Sequence, residues 1–199
     1  MSIVNLQPES SAAFLASWKE LTEAPITVME RQTIFLGMGS NVGDRKAMLQ
    51  KALDAVAALP QTEVVRCSGI YETAPWGDVP QGPFYNCAVE IRSGLQPAEL
   101  LAAIKGIEQD MGRERTERNG PRIIDIDILL FGDRVLKEEG LSIPHGAIAD
   151  RMFVLIPLSE IAASVIHPIE KRTIREIAQS CSDTGHVTDT GLRLTRARP

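Results

Sequence analysis

The chain has 199 residues, 44% of them hydrophobic and 24% charged, with a formal charge of −5. That is the make-up of a single globular domain, long enough to bury roughly 70% of its unfolded surface. The acidic balance argues against nucleic acid as a main partner, and no apolar run comes near the ~20 residues that a membrane span needs.

The first thirty residues lack a basic start and an apolar centre and carry Glu9, Glu20 and Glu23, which argues against a signal or transit peptide. Residues 1–30 read as an extension, in which "SSAAFLASWKELTEA" (10–24) predicts a short amphipathic helix through Phe14, Leu15, Trp18 and Leu21. The domain itself is expected over 31–181. "TIFLGMGS" is a strand running into a turn. From Asp44 to Leu59, Met48, Leu49, Ala52, Leu53 and Val56 recur at helical spacing until Pro60 ends the helix. "TEVVRCSGIYET" and "FYNCAVEIRS" are the second and third strands. The three prolines and two glycines of "APWGDVPQGP" (74–83) between them dictate a loop.

Pro97 opens a helix carrying Leu100, Leu101, Ile104, Ile107 and Met111, with Gly112 where a C-terminal cap belongs. The charged loop "RERTERNGP" then leads into a fourth strand, Ile123 to Phe131. Beyond it, "RVL" predicts a short strand, and "HGAIADRMFVLIPLSEIA" and "TIREIAQSC" predict helices. Residues 182–199 form a polar, frayed tail. The order β-α-β-β-α-β is ferredoxin-like: an α+β fold with a mainly antiparallel sheet and an additional C-terminal strand and helices. This arrangement carries no function by itself. Cys67, Cys87 and Cys181 are odd in number and far apart, so neither a disulfide frame nor a CxxC zinc site is indicated, and a reducing cytoplasm is expected.

The fourth strand, within "NGPRIIDIDILLFG" (119–132), contains an anomaly. Strict alternation puts Ile124, Ile126, Ile128 and Leu130 on one face and Asp125, Asp127, Leu129 and Phe131 on the other. Two carboxylates side by side repel unless one is protonated or a cation lies between them. A half-solvated face accounts for the pair. So does a Mg²⁺ site, because this ion takes one or two carboxylates and completes its shell with water and phosphate oxygens. Arg113, Arg115, Arg118 and Arg122 cluster just upstream, diluted by Glu114 and Glu117. Such a loop is ordinarily solvated, yet guanidinium forks beside a metal-binding pair also make a polyphosphate site.

"GMGSNVGD" (37–44) has the glycines of a phosphate loop without its grammar, and a tight turn explains it as well as a ligand does. His145 and Arg151 offer further phosphate contacts on a separate segment, although a lone His beside Pro is commonly structural. No HExxH or GxSxG motif occurs. These residues leave three readings open: a Mg²⁺-dependent phosphotransferase, a Mg²⁺-dependent phosphohydrolase and a non-enzymatic metabolite-binding module.

In order, "GMGSN", "YETAPWG", "FYNCAVEI", "MGRERTERNGPRIIDIDILLFG" and "IPHGAIADRMFVLIPLSEIA" resemble the 6-hydroxymethyl-7,8-dihydropterin pyrophosphokinases of folate biosynthesis, over about residues 32–170. The resemblance implies a cytoplasmic, monomeric enzyme that moves diphosphate from ATP to a pterin alcohol. It implies that Asp125 and Asp127 hold two Mg²⁺ ions. Arg113 and Arg122 are implied in catalysis and ATP binding, with His145 and Arg151 as further ATP contacts. Phe84 and Phe153 would sandwich the pterin and Asn86 would hydrogen-bond it. Gly39, Thr73, Ala74, Pro75 and Trp76 complete the implied substrate pocket. Two positions depart from many members of the family: Asn119 stands where a Trp is common, and Gly146 where some have Tyr.

Overall fold

The computed structural model describes residues 30–75, 79–113 and 120–195. The helix expected over 10–24, Trp76 and Asn119 lie outside the described residues. The chain divides between Glu30 and Arg31. In chain order the elements are β1 (Gln32–Ser40), α1 (Arg45–Ala57), β2 (Thr62–Cys67), β3 (Gly69–Thr73), β4 (Phe84–Ser93), α2 (Pro97–Asp110), β5 (Asp125–Phe131), β6 (Leu136–Glu138), β7 (Leu141–Ile143), α3 (Met152–Ala162), α4 (Ile174–Ser180) and β8 (Val187–Arg193).

Local chemistry sets the helix ends. The Asp44 carboxylate accepts from Ala47 N at 3.0 Å and caps α1. Pro97 opens α2 inside a capping box in which Gln96 N donates to Glu99 at 2.7 Å, and Gly112 ends the turn at φ +85°. The main sheet runs β5-β1-β4-β3-β8, antiparallel throughout, with β2 also beside β4. The stretch expected as one second strand is broken at Ser68. The Ser68 N–H donates to Ala88 O at 2.9 Å and its hydroxyl accepts from Ala88 N at 2.9 Å, so β2 and β3 follow the same neighbour with a step between them.

Both faces of the sheet are covered. On one, Ile34, Leu36, Met38, Ile126 and Ile128 pack against Leu49 and Leu53 of α1 and Leu100 and Ile104 of α2. On the other, Phe35, Ala88, Leu129 and Leu130 pack against Leu155, Leu158 and Ile161 of α3 and Ile174 and Ile177 of α4. Simple alternation fails at one point of β5. Phe35 stands opposite Leu130 but Leu36 opposite Ile128, so Leu129 is the extra residue of a bulge. A one-residue slip exchanges faces. Leu130 therefore joins the cluster on the Asp side, and Phe131 joins the opposite one.

Over 187–195 the expected frayed tail is instead ordered, while 196–199 lie outside the described residues. β8 pairs with β3 from Gly69↔Arg193 to Thr73↔Val187, and Leu192 and Leu194 pack on the main core. The Gln50 amide brackets Thr195, donating to its carbonyl at 2.8 Å and accepting from its N–H at 2.9 Å. Asp183 accepts from Met152 N at 2.8 Å, placing a carboxylate at the N-terminus of α3. Polar Thr188 and Asp189 point outward from an edge strand, which is why composition hid it. Similarly, the single short strand expected at "RVL" gives way to a hairpin that starts only at its last residue, Leu136, and pairs β6 with β7.

Candidate active site

Past Phe35, the β1 side chains on the α3–α4 face shrink to Gly37 and Gly39, opposite Asp127 and Asp125 of β5. The sheet is bare there, and a cavity of about 270 Å³ opens between it and the first turn of α3. Gly39 is required by its neighbour: a Cβ at that position would fall 2.7 Å from Asn86 Oδ1. The Asn86 amide is held by donation from Nδ2 to Thr73 Oγ1 at 2.8 Å. Phe84 from β4 and Phe153 from α3 both line the cavity, as do Thr73 and Ala74. Arg151, in extended conformation just before α3, stands with its guanidinium carbon 5.7 Å from the Phe153 ring centre.

The two aspartates have different surroundings. Asp125 is paired twice, with Arg122 through Oδ2 and with Arg113 through Oδ1 at 2.7 Å. Arg113 also pairs with Glu108, a buried carboxylate on α2 that accepts from Lys105 Nζ and from Ile126 N, each at 2.8 Å. Among the described residues, Asp127 makes no such pairing. Burial pushes its carboxyl above the ordinary Asp range, the neighbouring Asp125 adds to the rise, and His145 and Lys105 partly offset it. His145 is brought up by its backbone N–H, which donates to Leu129 O at 2.9 Å. On the far side of Asp127 and His145 a second cavity of about 390 Å³ runs along Lys105, Lys137 and Ser142.

Of the residues expected from sequence, Gly39, Thr73, Ala74, Phe84, Asn86, Arg122, Asp125, Asp127, His145, Arg151 and Phe153 line the first cavity together. Arg113 reaches it through Asp125. Pro75 is described but is not among the lining residues. Glu108 and Asn41 escaped the sequence reading. Glu108 had a signal, a carboxylate in step with Leu100 and Ile104 on the buried side of α2. Asn41 had none beyond its place after "GMGS".

The family model of 7,8-dihydro-6-hydroxymethylpterin-pyrophosphokinase (HPPK) matches residues 35–163. The chain belongs to this family. It is 43% identical over 151 residues to the 2-amino-4-hydroxy-6-hydroxymethyldihydropteridine pyrophosphokinase of Methylorubrum extorquens, covering 76% of this chain and 94% of that protein. The like-named protein of Aquifex aeolicus is 41% identical over 144 residues, covering 72% and 89%. Among solved structures, a Plasmodium falciparum HPPK-DHPS chain superposes with a TM-score of 0.62 at 20% identity, over 79% of this chain. This chain spans 46% of that one, and the likeness is one of fold. HPPK membership makes the chain a pyrophosphokinase of folate synthesis: it transfers diphosphate from ATP to the hydroxymethyl group of 6-hydroxymethyl-7,8-dihydropterin and releases AMP. β8 lies beyond the matched residues.

Proposed function

We propose that this transfer takes place on the bare sheet face, with the pterin at the aromatic end of the first cavity and the ATP polyphosphate at the Asp–Arg end. One observation carries the reading: Arg122 and two adjacent carboxylates, one of them also paired with Arg113, line the same cavity as Phe84, Phe153 and a fixed amide. Phe84 and Phe153 suit the faces of a flat heterocycle. With its Nδ2 engaged by Thr73, Asn86 keeps Oδ1 to accept from a ring N–H.

The donor set fits Mg²⁺. Asp125 and Asp127 are hard oxygen ligands on a rigid strand, and burial together with the neighbouring Asp125 disfavours the Asp127 anion unless a cation joins it. Mg²⁺ needs only one or two protein carboxylates and takes the rest of its shell from phosphate and water. When bound there, two Mg²⁺ ions would supply Lewis-acid polarisation of the phosphate oxygens.

The chain's own residues do the rest. Arg113 and Arg122, now on Asp125, are within reach of phosphate once that carboxylate is otherwise neutralised, and they spread the charge that develops in the transition state. His145 and Arg151 steady the ATP. The pterin hydroxymethyl oxygen attacks the β-phosphorus and gives up its proton to solvent, the bond from that phosphorus to the α,β-bridging oxygen breaks, and the oxygen leaves with AMP. The protein contributes position and electrostatics to this step. Incubation with ATP, Mg²⁺ and 6-hydroxymethyl-7,8-dihydropterin, followed by nucleotide chromatography, is expected to give AMP in step with pterin diphosphate. ADP as the sole nucleotide product would refute it.

The same reading extends to the whole protein as a monomeric, cytoplasmic enzyme whose catalytic unit begins near residue 31. Among the described residues the exposed large apolar side chains are Val42, Val135, Ile166 and Ile169, too few for an obligate interface. No helix there is long and apolar enough to cross a membrane.

A further inference from the structure

We propose that Asn41 is a positioning residue that makes the setting of Arg122 depend on the loop leading to Phe84, and so couples the two ends of the site. Asn41 follows β1 and lines neither cavity. On one side its backbone N–H donates to Arg122 O at 3.1 Å and its Oδ1 accepts from Arg122 N at 2.7 Å. On the other, Nδ2 donates to Gln81 Oε1 at 2.9 Å and to Gly82 O at 3.2 Å. A single amide thus uses both its donors on one segment and its acceptor on another.

Each segment ends at a residue of the site. Two residues after Gly82 comes Phe84, at the aromatic end of the cavity. Arg122 carries the guanidinium that pairs with Asp125 at the other end. Around Asn41 the attachments are firm: Ser40 Oγ donates to Ile123 O at 2.6 Å, and Arg45 donates to Pro83 O at 2.9 Å. A ligand that shifts residues 81–84 therefore pulls on the amide that fixes the Arg122 backbone. By reciprocity, a polyphosphate that draws Arg122 off Asp125 changes the readiness of the loop for a ring. A polar link lost at such a hinge changes how one ligand affects the other, whereas an ordinary structural amide changes stability alone.

This rests on the placement of pterin and ATP under the proposed function. The test measures affinity for an unreactive α,β-methylene ATP analogue with Mg²⁺ and for a non-reacting pterin lacking the hydroxyl, each alone and in the presence of the other. Wild-type protein is expected to bind either ligand at least about fivefold more tightly when the other is present, the low end of usual coupling factors. Asn41→Asp keeps an acceptor for Arg122 N and removes the donors to Gln81 and Gly82, while Asn41→Ala removes the side-chain bonds on both sides and leaves only the backbone N–H to Arg122 O. In both variants the coupling factor is expected to fall towards one, with single-ligand affinities within about threefold of wild type. Gln81→Ala leaves Asn41 in place and is expected to lose part of the coupling, which keeps the test open if Asn41→Ala does not fold. An unchanged coupling factor in folded Asn41→Asp and Gln81→Ala overturns the role of Asn41, as does wild-type protein that binds both ligands independently. Wild-type protein that binds neither ligand and releases no AMP would instead remove the site reading on which the inference rests.

Discussion

Asp125 and Asp127 are equivalent in sequence and unequal in the fold. Asp125 anchors Arg113 and Arg122, whereas Asp127 is disfavoured as an anion by burial and by its neighbour. A carboxyl raised above its unfolded value contributes stability that is fully present at low pH and lost as pH rises from the ordinary Asp range through the raised value. Asp127→Asn removes that loss. In EDTA it is expected to melt above wild type at neutral pH, with the gap closing as pH falls below the ordinary Asp range. Asp125→Asn takes a partner from two arginines at once and is expected to melt lower at neutral pH, since a charge left unpaired in a partly buried setting is costly. Both changes are expected to reduce turnover by roughly a hundredfold or more, the scale of losing a group that stabilises transition-state charge. Melting curves over a pH series and steady-state rates give the readout, and two variants with the same pH profile would contradict the asymmetry.

Among the elements, β8 has the least visible contribution. It closes the β3 edge, buries parts of Leu192 and Leu194 and brings Asp183 to the start of α3. An uncovered edge is also a template for association. A chain ending at Ser182 loses the strand, both leucines and the cap. With about 1.5–3 kcal/mol for complete burial of a Leu and these two only partly buried, a loss of about 2–4 kcal/mol is expected. For a chain of this size that lowers Tm by roughly 4–16 °C. Because β3 carries Thr73, which holds Asn86, the pterin KM is expected to rise more than kcat falls. Calorimetry and initial rates check both halves, and an unshifted Tm would show that the strand adds nothing.

For the molecule as a whole, the two faces of the sheet have separate tasks. The α1–α2 face holds the larger core, and the α3–α4 face stops short, leaving Gly37, Gly39 and the aspartates to line the cavity. The site therefore lies on the sheet and at the margin of α3, built from β1, β3, β4, β5 and the residues flanking them. None of these elements lies before residue 31, and the HPPK match begins at residue 35. Removal of residues 1–30 is thus expected to leave kcat and both KM values within about twofold and the sedimentation behaviour that of the same assembly state as the full chain. A loss of turnover or a change of assembly would assign that segment a part in the site or in association.

Local sequence signals were enough for the order of the principal elements as far as β5 and for much of the candidate site's lining. Apolar spacing set α1 and α2, alternation placed two carboxylates on one face of β5, and the family's motifs indicated both phenylalanines, Asn86 and the arginines. These are local signals: period, caps and spacing act within a few residues, and the backbone obeys them before any distant partner arrives. Pairings across long separations were not legible in the sequence and came only with the folded arrangement. Asn41 meets a residue 40 positions away and another 81 away, and Gln50 brackets one 145 away. The bulge that turns Leu130 over depends on the register with β1, and β8 is a strand because β3 has a free edge and the core has room for two leucines. No residue's neighbours in the chain carry that information, since the free energy of such contacts resides in surfaces that meet only once the sheet has formed.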